Sequence, residues 1–296
     1  FAIVMDVNNG QILSLATVPS YDPNKFWQYD SEFFKGWYSQ DLFEPGSTFK
    51  PINLALALEE KIIHKDGLVE DNGKINVGGW TLFNWDKKGN GFIDYPTVLQ
   101  VSSNVGMVKI MQNLDPIVYW DWLENLGINK KLDTDLYDST AGQLKRKDLF
   151  VNKSIEPAVA SFGQGFSISP LKLVQLHAAL ANGGFEVTPH VTATFNKGVN
   201  NNSKKQFFSD EVSKTVLEWM ESVVDKGSGS GVKIKGYRIA GKTGTSQKAL
   251  NGSYTSKKVC SFVATLPVND PKYVVLVVVD EPSKSYAYGS TVAVPV

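Results

Sequence analysis

Glu44-Pro45-Gly46-Ser47-Thr48-Phe49-Lys50, set at the head of an apolar helical stretch, decides how the rest of this chain is read. A serine and a lysine three positions apart share one helix face, with about 5–6 Å between their Cβ atoms. That spacing suits a hydroxyl nucleophile and an amine base. Pro51 would break a helix interior, but a first turn tolerates it because its N–H groups have no intrahelical partner. The helix therefore starts at or just before Ser47. There the serine's own N–H is free to face a developing oxyanion, and the positive end of the helix dipole favours negative charge.

A lone serine-lysine pair is weak evidence, since Ser47 and Ser102 could each be an ordinary N-cap and Lys50 and Lys242 solvated charges. Two further elements change the balance. Ser102-Ser103-Asn104 precedes the helical run Val105 to Met111, and Lys242-Thr243-Gly244-Thr245 ends the strand-like stretch Tyr237 to Gly241. SxxK, SxN and KTG stand here in the chain order that penicillin-binding proteins and serine β-lactamases use.

With those residues in view, the chain resembles the transpeptidase domain of a class B, monofunctional penicillin-binding protein, most like the septal cell-division type with the elongation type as a near neighbour. Phe43 to Lys50, Ser102 to Gly106, Ala160 to Gly165, Ala181 to Gly184, Ala240 to Thr245, Val278 to Pro282 and Gly289 to Ala293 all carry the likeness. It spans nearly the whole chain. Ala264-Thr265-Leu266 departs from it, standing where a Gly-containing stretch is common.

The resemblance implies a D,D-transpeptidase that cross-links peptidoglycan stems ending in D-Ala-D-Ala during septal wall synthesis, through an acyl-enzyme on Ser47. Lys50 is the implied base, Ser102 a proton relay and Asn104 a donor to the substrate backbone. Lys242, Thr243 and Thr245 would hold the terminal carboxylate, with Gly244 between them, and the N–H groups of Ser47 and Thr245 would form the oxyanion hole. Lys50 can act as base only if burial and a nearby cation such as Lys242 pull its pKa far below about 10.4. No metal or cofactor is implied. β-Lactams are the implied covalent inhibitors and division or elongation membrane proteins the implied partners. The implied location is the outer, periplasmic face of a bacterial cytoplasmic membrane. A membrane anchor and pedestal domain would precede this chain and a C-terminal helix would follow it.

Alternatives stay open at this stage. A D,D-carboxypeptidase differs only in its acceptor. A serine β-lactamase or penicillin sensor would share Ser47, but no ExxLN deacylating segment of the class A kind lies between the second and third motifs. The class D second motif lacks an equivalent of Asn104. A non-enzymatic division scaffold is disfavoured by the intact motif set. Gly236 to Thr243 also satisfies GxxxxGK[ST], and Asp280-Glu281 imitates a Walker B strand. That nucleotide reading fails because a P-loop opens a helix, whereas this segment reads as strand.

Composition sets wider bounds. The 296 residues are 42% apolar and 20% charged with zero formal net charge, which suits a globular protein with a substantial core and gives no basic surface for nucleic acid. The one cysteine, Cys260, excludes an internal disulfide and reads as a strand core position. His64, His177 and His190 have no metal-ligand spacing.

Periodicity gives a hairpin over Ala2 to Ala16, turning at Asn8-Asn9-Gly10, then helices over Leu54 to Lys61, Val105 to Leu114, Ile117 to Leu126 and Pro170 to Leu180. Strands return at Lys233 to Lys242, Lys258 to Leu266 and Tyr273 to Asp280, with a turn at Asn251-Gly252. The fold class expected is α+β, penicillin-binding-protein/serine β-lactamase-like: an antiparallel sheet built from both termini and flanked by helices, with a mostly helical insertion. The sheet part would cover about 1–60 and 212–296, the helical part about 61–211, with the site at their junction. Asn196 to Lys205 reads as a solvated loop, and Lys248 to Lys257 as a loop flanking the cleft.

Overall fold

A computed structural model describes residues 1–193, 205–250, 253–283 and 286–296. The expected loop at 196–204 and the Asn251-Gly252 turn lie outside the described residues. Strands β1 (Ala2–Asp6) and β2 (Ile12–Ala16) form the N-terminal hairpin. A helix of four residues, α1 (Trp37–Gln40), comes next, and α2 (Lys50–Glu59) follows a 3-10 turn over Gly46–Phe49. Four short strands, β3 (Leu68–Asp71), β4 (Lys74–Val77), β5 (Trp80–Phe83) and β6 (Gly91–Asp94), pair as two antiparallel ladders, β3 with β6 and β4 with β5.

Then come α3 (Tyr95–Gln100), α4 (Asn104–Met111), α5 (Pro116–Asn125), α6 (Lys147–Asn152), α7 (Ile155–Ala160), α8 (Pro170–Ala181) and α9 (Asp210–Lys226). The chain returns to strand in β7 (Ala240–Leu250), β8 (Ser253–Leu266) and β9 (Tyr273–Asp280). Among the described residues no helix is long and apolar enough to cross a membrane.

The main sheet has the order β2-β1-β9-β8-β7, antiparallel throughout, so the first and last strands of the chain lie side by side with Ala2 opposite Val277 and Asp6 opposite Tyr273. β9 explains its own sequence. Val274, Leu276 and Val278 join the main core, while Val275, Val277 and Val279 pack in a second cluster with Ala293 and Val294. A strand covered on both faces reads as a continuous apolar run rather than an alternation. Helix α8, buried along its whole length, crosses the first of these faces.

The mostly helical middle segment also holds β3 to β6, strands of four residues, too short for a period-two pattern to register. Two local readings need correction. The strand expected from Lys233 begins only at Ala240. Arg238 instead pairs with Glu221 of α9 (2.6 Å), which holds the preceding segment against that helix, and Tyr237 is exposed. The polar stretch expected as a loop after Lys248 is largely strand, with Gln247 opposite Lys258 and Ala249 opposite Tyr254. Ion pairs from Lys248 and Lys257 to Glu281, at 2.8 and 2.7 Å, support this end of the hairpin. Strand also continues past Lys242, where a P-loop would open a helix.

Candidate active site

Ser47 lies in the 3-10 turn that leads into α2, and Lys50 is the first residue of that helix, with Pro51 in its first turn. The turn is set by Gly46, whose φ of +55° lies in the left-handed region that glycine enters without penalty. Gly46 donates its N–H to the Gly163 carbonyl (2.9 Å), and a Cβ on Gly163 would stand 2.0 Å from the Gly46 oxygen. The loop bearing the serine is therefore clamped backbone to backbone. His177 of α8 braces the same turn from below: its Nε2 lies 2.8 Å from the Thr48 carbonyl. Because a carbonyl only accepts, Nε2 carries the hydrogen, and among the described residues the buried Nδ1 has no partner. Burial lowers the His177 pKa to about 4, with the Thr48 bond working against that shift.

Ser102 is the hub. Its Oγ donates to Ser47 Oγ (2.9 Å) and accepts from Lys50 Nζ (3.1 Å) and Lys242 Nζ (3.0 Å). Its carbonyl also accepts from Lys50 (2.7 Å), which its unusual φ of +57° allows. A non-glycine residue held there stores about 1–3 kcal/mol of strain, here at the centre of the hydrogen-bond network. Lys50 completes its set with Asn104 Oδ1 (2.8 Å), and Asn104 Nδ2 donates to the Phe83 carbonyl (3.0 Å), which fixes the amide's orientation and, among the described residues, leaves its second N–H free.

Both lysines are fully buried. Burial, then the Lys242 charge, hold Lys50 well below its ordinary 10.5, and Asp71 pulls weakly the other way. Burial lowers Lys242 to about 7. Two buried amines sharing one hydroxyl do not both stay charged near neutral pH. When Lys50 is neutral, its two hydrogens satisfy the Ser102 carbonyl and Asn104 Oδ1. Its lone pair is then left facing Ser102 Oγ.

Thr243 Oγ1 is 2.7 Å from Ser228 Oγ, and Thr245 Oγ1 accepts from the Gly289 N–H (3.0 Å). Gly244 has no room for a side chain, since a Cβ would come within 2.4 Å of Ser261 Oγ and 2.9 Å of Thr48. Strand β7 can thus lie flat against the serine's turn. Ser47, Lys50, Ser102, Asn104 and Lys242 are thus joined by direct hydrogen bonds, and Thr243, Gly244 and Thr245 follow Lys242 on β7.

Sequence reasoning missed the support of this cluster. Ser103, not Ser102, caps α4, accepting from the Gly106 N–H at 2.8 Å. Asn84 accepts from the Asn104 and Val105 N–H groups (2.9 and 3.1 Å) and donates to both oxygens of Asp71 (2.8 Å). Asp71 also accepts from Asn90 Nδ2 (2.7 Å) and the Gly73 N–H (2.9 Å). Burial raises the Asp71 carboxyl, and these hydrogen bonds outweigh it, leaving its pKa lowered. The Trp85 and Tyr288 rings meet edge to face with centroids 5.8 Å apart.

The family description "penicillin binding protein transpeptidase domain" matches residues 1–296. The chain is 41% identical over 324 residues to a peptidoglycan D,D-transpeptidase FtsI homolog of Mesostigma viride, covering 99% of this chain and 54% of that protein. It is 32% identical to the peptidoglycan D,D-transpeptidase FtsI of Escherichia coli strain K12, covering 100% of this chain and 49% of the relative. It thus spans about half the length of these curated relatives. The solved transpeptidase domain of Burkholderia pseudomallei penicillin-binding protein 3 superposes with a TM-score of 0.85 at 29% identity, covering 99% of this chain and 83% of that one. Motif order, hydrogen-bonded cluster and full-length match agree: the chain belongs to the penicillin-binding-protein transpeptidase domain family.

Proposed function

We propose that this chain is the catalytic part of a class B penicillin-binding protein, a serine D,D-transpeptidase that cross-links peptidoglycan stems in septal wall synthesis. One observation carries the reading: Ser102 Oγ joins Ser47 Oγ to two buried amines within 3.1 Å. Ser47 Oγ attacks the carbonyl between the two D-Ala residues while its proton passes to Ser102 and the Ser102 proton to the neutral Lys50 lone pair. The N–H groups of Ser47 and Thr245 take the developing oxyanion. Lys50 then returns the proton through Ser102 to the leaving D-Ala nitrogen, the C–N bond breaks, and an acyl-Ser47 ester remains. An amine of a neighbouring stem attacks that ester and gives its proton to Lys50. The new amide forms as Ser47 regains its hydrogen.

In this reading Lys242, Thr243 and Thr245 hold the terminal carboxylate beside Gly244, and the free N–H of Asn104 orients the donor backbone. Ser47, Lys50 and Lys242 come from the 1–60 and 212–296 part, and Ser102 and Asn104 from the 61–211 part. The site therefore sits at their junction. The whole protein acts outside the cytoplasm, on the periplasmic face of the membrane. It works with division or elongation membrane proteins and is acylated by β-lactams.

Intact mass spectrometry after brief exposure to benzylpenicillin tests this. A persistent one-to-one adduct absent in Ser47→Ala is expected. Rapid clearance of the adduct would make the chain a β-lactamase, and no adduct on folded protein would refute the reading.

A further inference from the structure

Thr243 is held by a hydroxyl that belongs to none of the three motifs. Ser228 Oγ lies 2.7 Å from Thr243 Oγ1, and either hydroxyl of the pair can donate to the other. Ser228 sits between Gly227 and Gly229, directly after α9, and is half-buried.

The turn that presents it is tightly built. The Val223 carbonyl accepts from the N–H groups of Gly227 (3.0 Å) and Gly229 (3.1 Å), which closes the C-terminus of α9. A Cβ on Gly227 would stand 2.9 Å from Gln100 Cα, so any side chain there would push the turn away from α3. Gln100 ends α3, two residues before Ser102. Its carbonyl accepts from the Ser228 N–H (3.4 Å), and its Nε2 donates to Ser222 Oγ of α9 (3.0 Å). One short turn is thus fastened to the segment that carries Ser102 and to the strand that carries Lys242 and Thr243.

The hydrogens at the two threonines decide what Ser228 does. A threonine hydroxyl has one hydrogen and two acceptor lone pairs. Thr245 receives its bond from the Gly289 N–H (3.0 Å), a group that only donates, so this bond does not use the Thr245 hydrogen. Thr243 differs, because its partner is another hydroxyl. When Thr243 donates to Ser228, its one hydrogen is committed and its lone pairs repel an incoming anion. When Ser228 donates, that hydrogen is free for a carboxylate, which accepts and cannot donate. We infer that Ser228 is a positioning residue for the acyl donor: it donates to Thr243 Oγ1 and thereby commits the Thr243 hydrogen to the donor's terminal carboxylate. Ser228 does for Thr243 what the Gly289 N–H does for Thr245.

This rests on the reading that Thr243 holds that carboxylate, and the experiment separates the two. Two N-acetyl-D-Ala thioesters, one of mercaptoacetic acid and one of mercaptoacetamide, are compared by intact-mass rates of acyl-enzyme formation. They differ only in whether the leaving group carries a carboxylate, and the wild-type chain is expected to prefer the acid. Ser228→Ala should slow the acid donor roughly tenfold, the size of one net hydrogen bond. The amide donor's rate and the melting temperature should stay unchanged. Ser228→Thr keeps a hydroxyl and should recover the acid donor's rate. In a Thr243→Val background, Ser228→Ala should cost the acid donor nothing further.

Equal slowing of both donors by Ser228→Ala, or no slowing of either, would overturn the inference. So would a further loss in the Thr243→Val background, which would put Ser228 itself on the carboxylate. Equal rates for the two donors on wild type would instead remove the carboxylate reading, and the inference with it.

Discussion

Ser102→Ala isolates the hub of the cluster. The change removes one hydroxyl and with it three hydrogen bonds, to Ser47 (2.9 Å), Lys50 (3.1 Å) and Lys242 (3.0 Å). It leaves Lys50 anchored, because the Ser102 carbonyl at 2.7 Å and Asn104 Oδ1 at 2.8 Å remain. Alanine inherits the same φ of +57° and adds no bulk, so the fold should persist with little change in melting temperature. What is lost is the proton path. A positioned acid–base group contributes about 10²–10⁴-fold, equivalent to roughly 3–5 kcal/mol of barrier at 1.36 kcal/mol per decade. The second-order rate of benzylpenicillin acylation, followed by quenched intact-mass time courses, should fall by that factor. A loss of less than about tenfold would mean that Ser47 passes its proton to Lys50 without a relay.

The same acylation rate should be bell-shaped in pH. It rises as Lys50 loses its proton and falls as Lys242 loses its own at about 7, because the charged Lys242 is needed for the substrate carboxylate. Asp71 is the one influence raising Lys50, so Asp71→Asn should move the acid limb to lower pH. A rate that climbs unbroken through the Lys242 pKa would show that its charge is dispensable. His177 predicts a stability effect of opposite use: its pKa is about 4 folded against 6.5 ordinarily, so the unfolded chain binds more protons between those values. Stability contributed by neutral His177 is complete above 6.5 and declines by about 3 kcal/mol as pH falls to 4. His177→Gln keeps a donor for Thr48 and should flatten that part of the melting-temperature profile. An unchanged acid slope would refute the assignment.

What the sequence disclosed, and what it hid, follows from distance along the chain. Ser47 and Lys50 are read together because one helix turn joins them, and the β1–β2 hairpin and β9 announce themselves through local turn chemistry and an apolar run. Asp71, Asn84 and Asn104 form one network across separations of 13 and 20 residues, and no period links them. The Glu44–Tyr254 contact joins residues 210 apart. Tyr237 and Ile239 alternate like a strand ahead of β7, yet the Arg238 pair with Glu221 fixes that segment to α9. The polar end of β7 and β8 has the composition of a surface loop. Backbone pairing and lysine ion pairs sustain strand there without apolar residues.

The most direct measurement is acyl transfer itself. The chain is incubated with a stem peptide ending in D-Ala-D-Ala and a labelled amine acceptor, and products are separated by mass for wild type and Ser47→Ala. Release of D-Ala matched by a new amide to the labelled amine, absent in Ser47→Ala, is the result expected of a serine transpeptidase. Release of D-Ala with only the hydrolysed peptide, whatever the acceptor concentration, would contradict it and make the chain a carboxypeptidase.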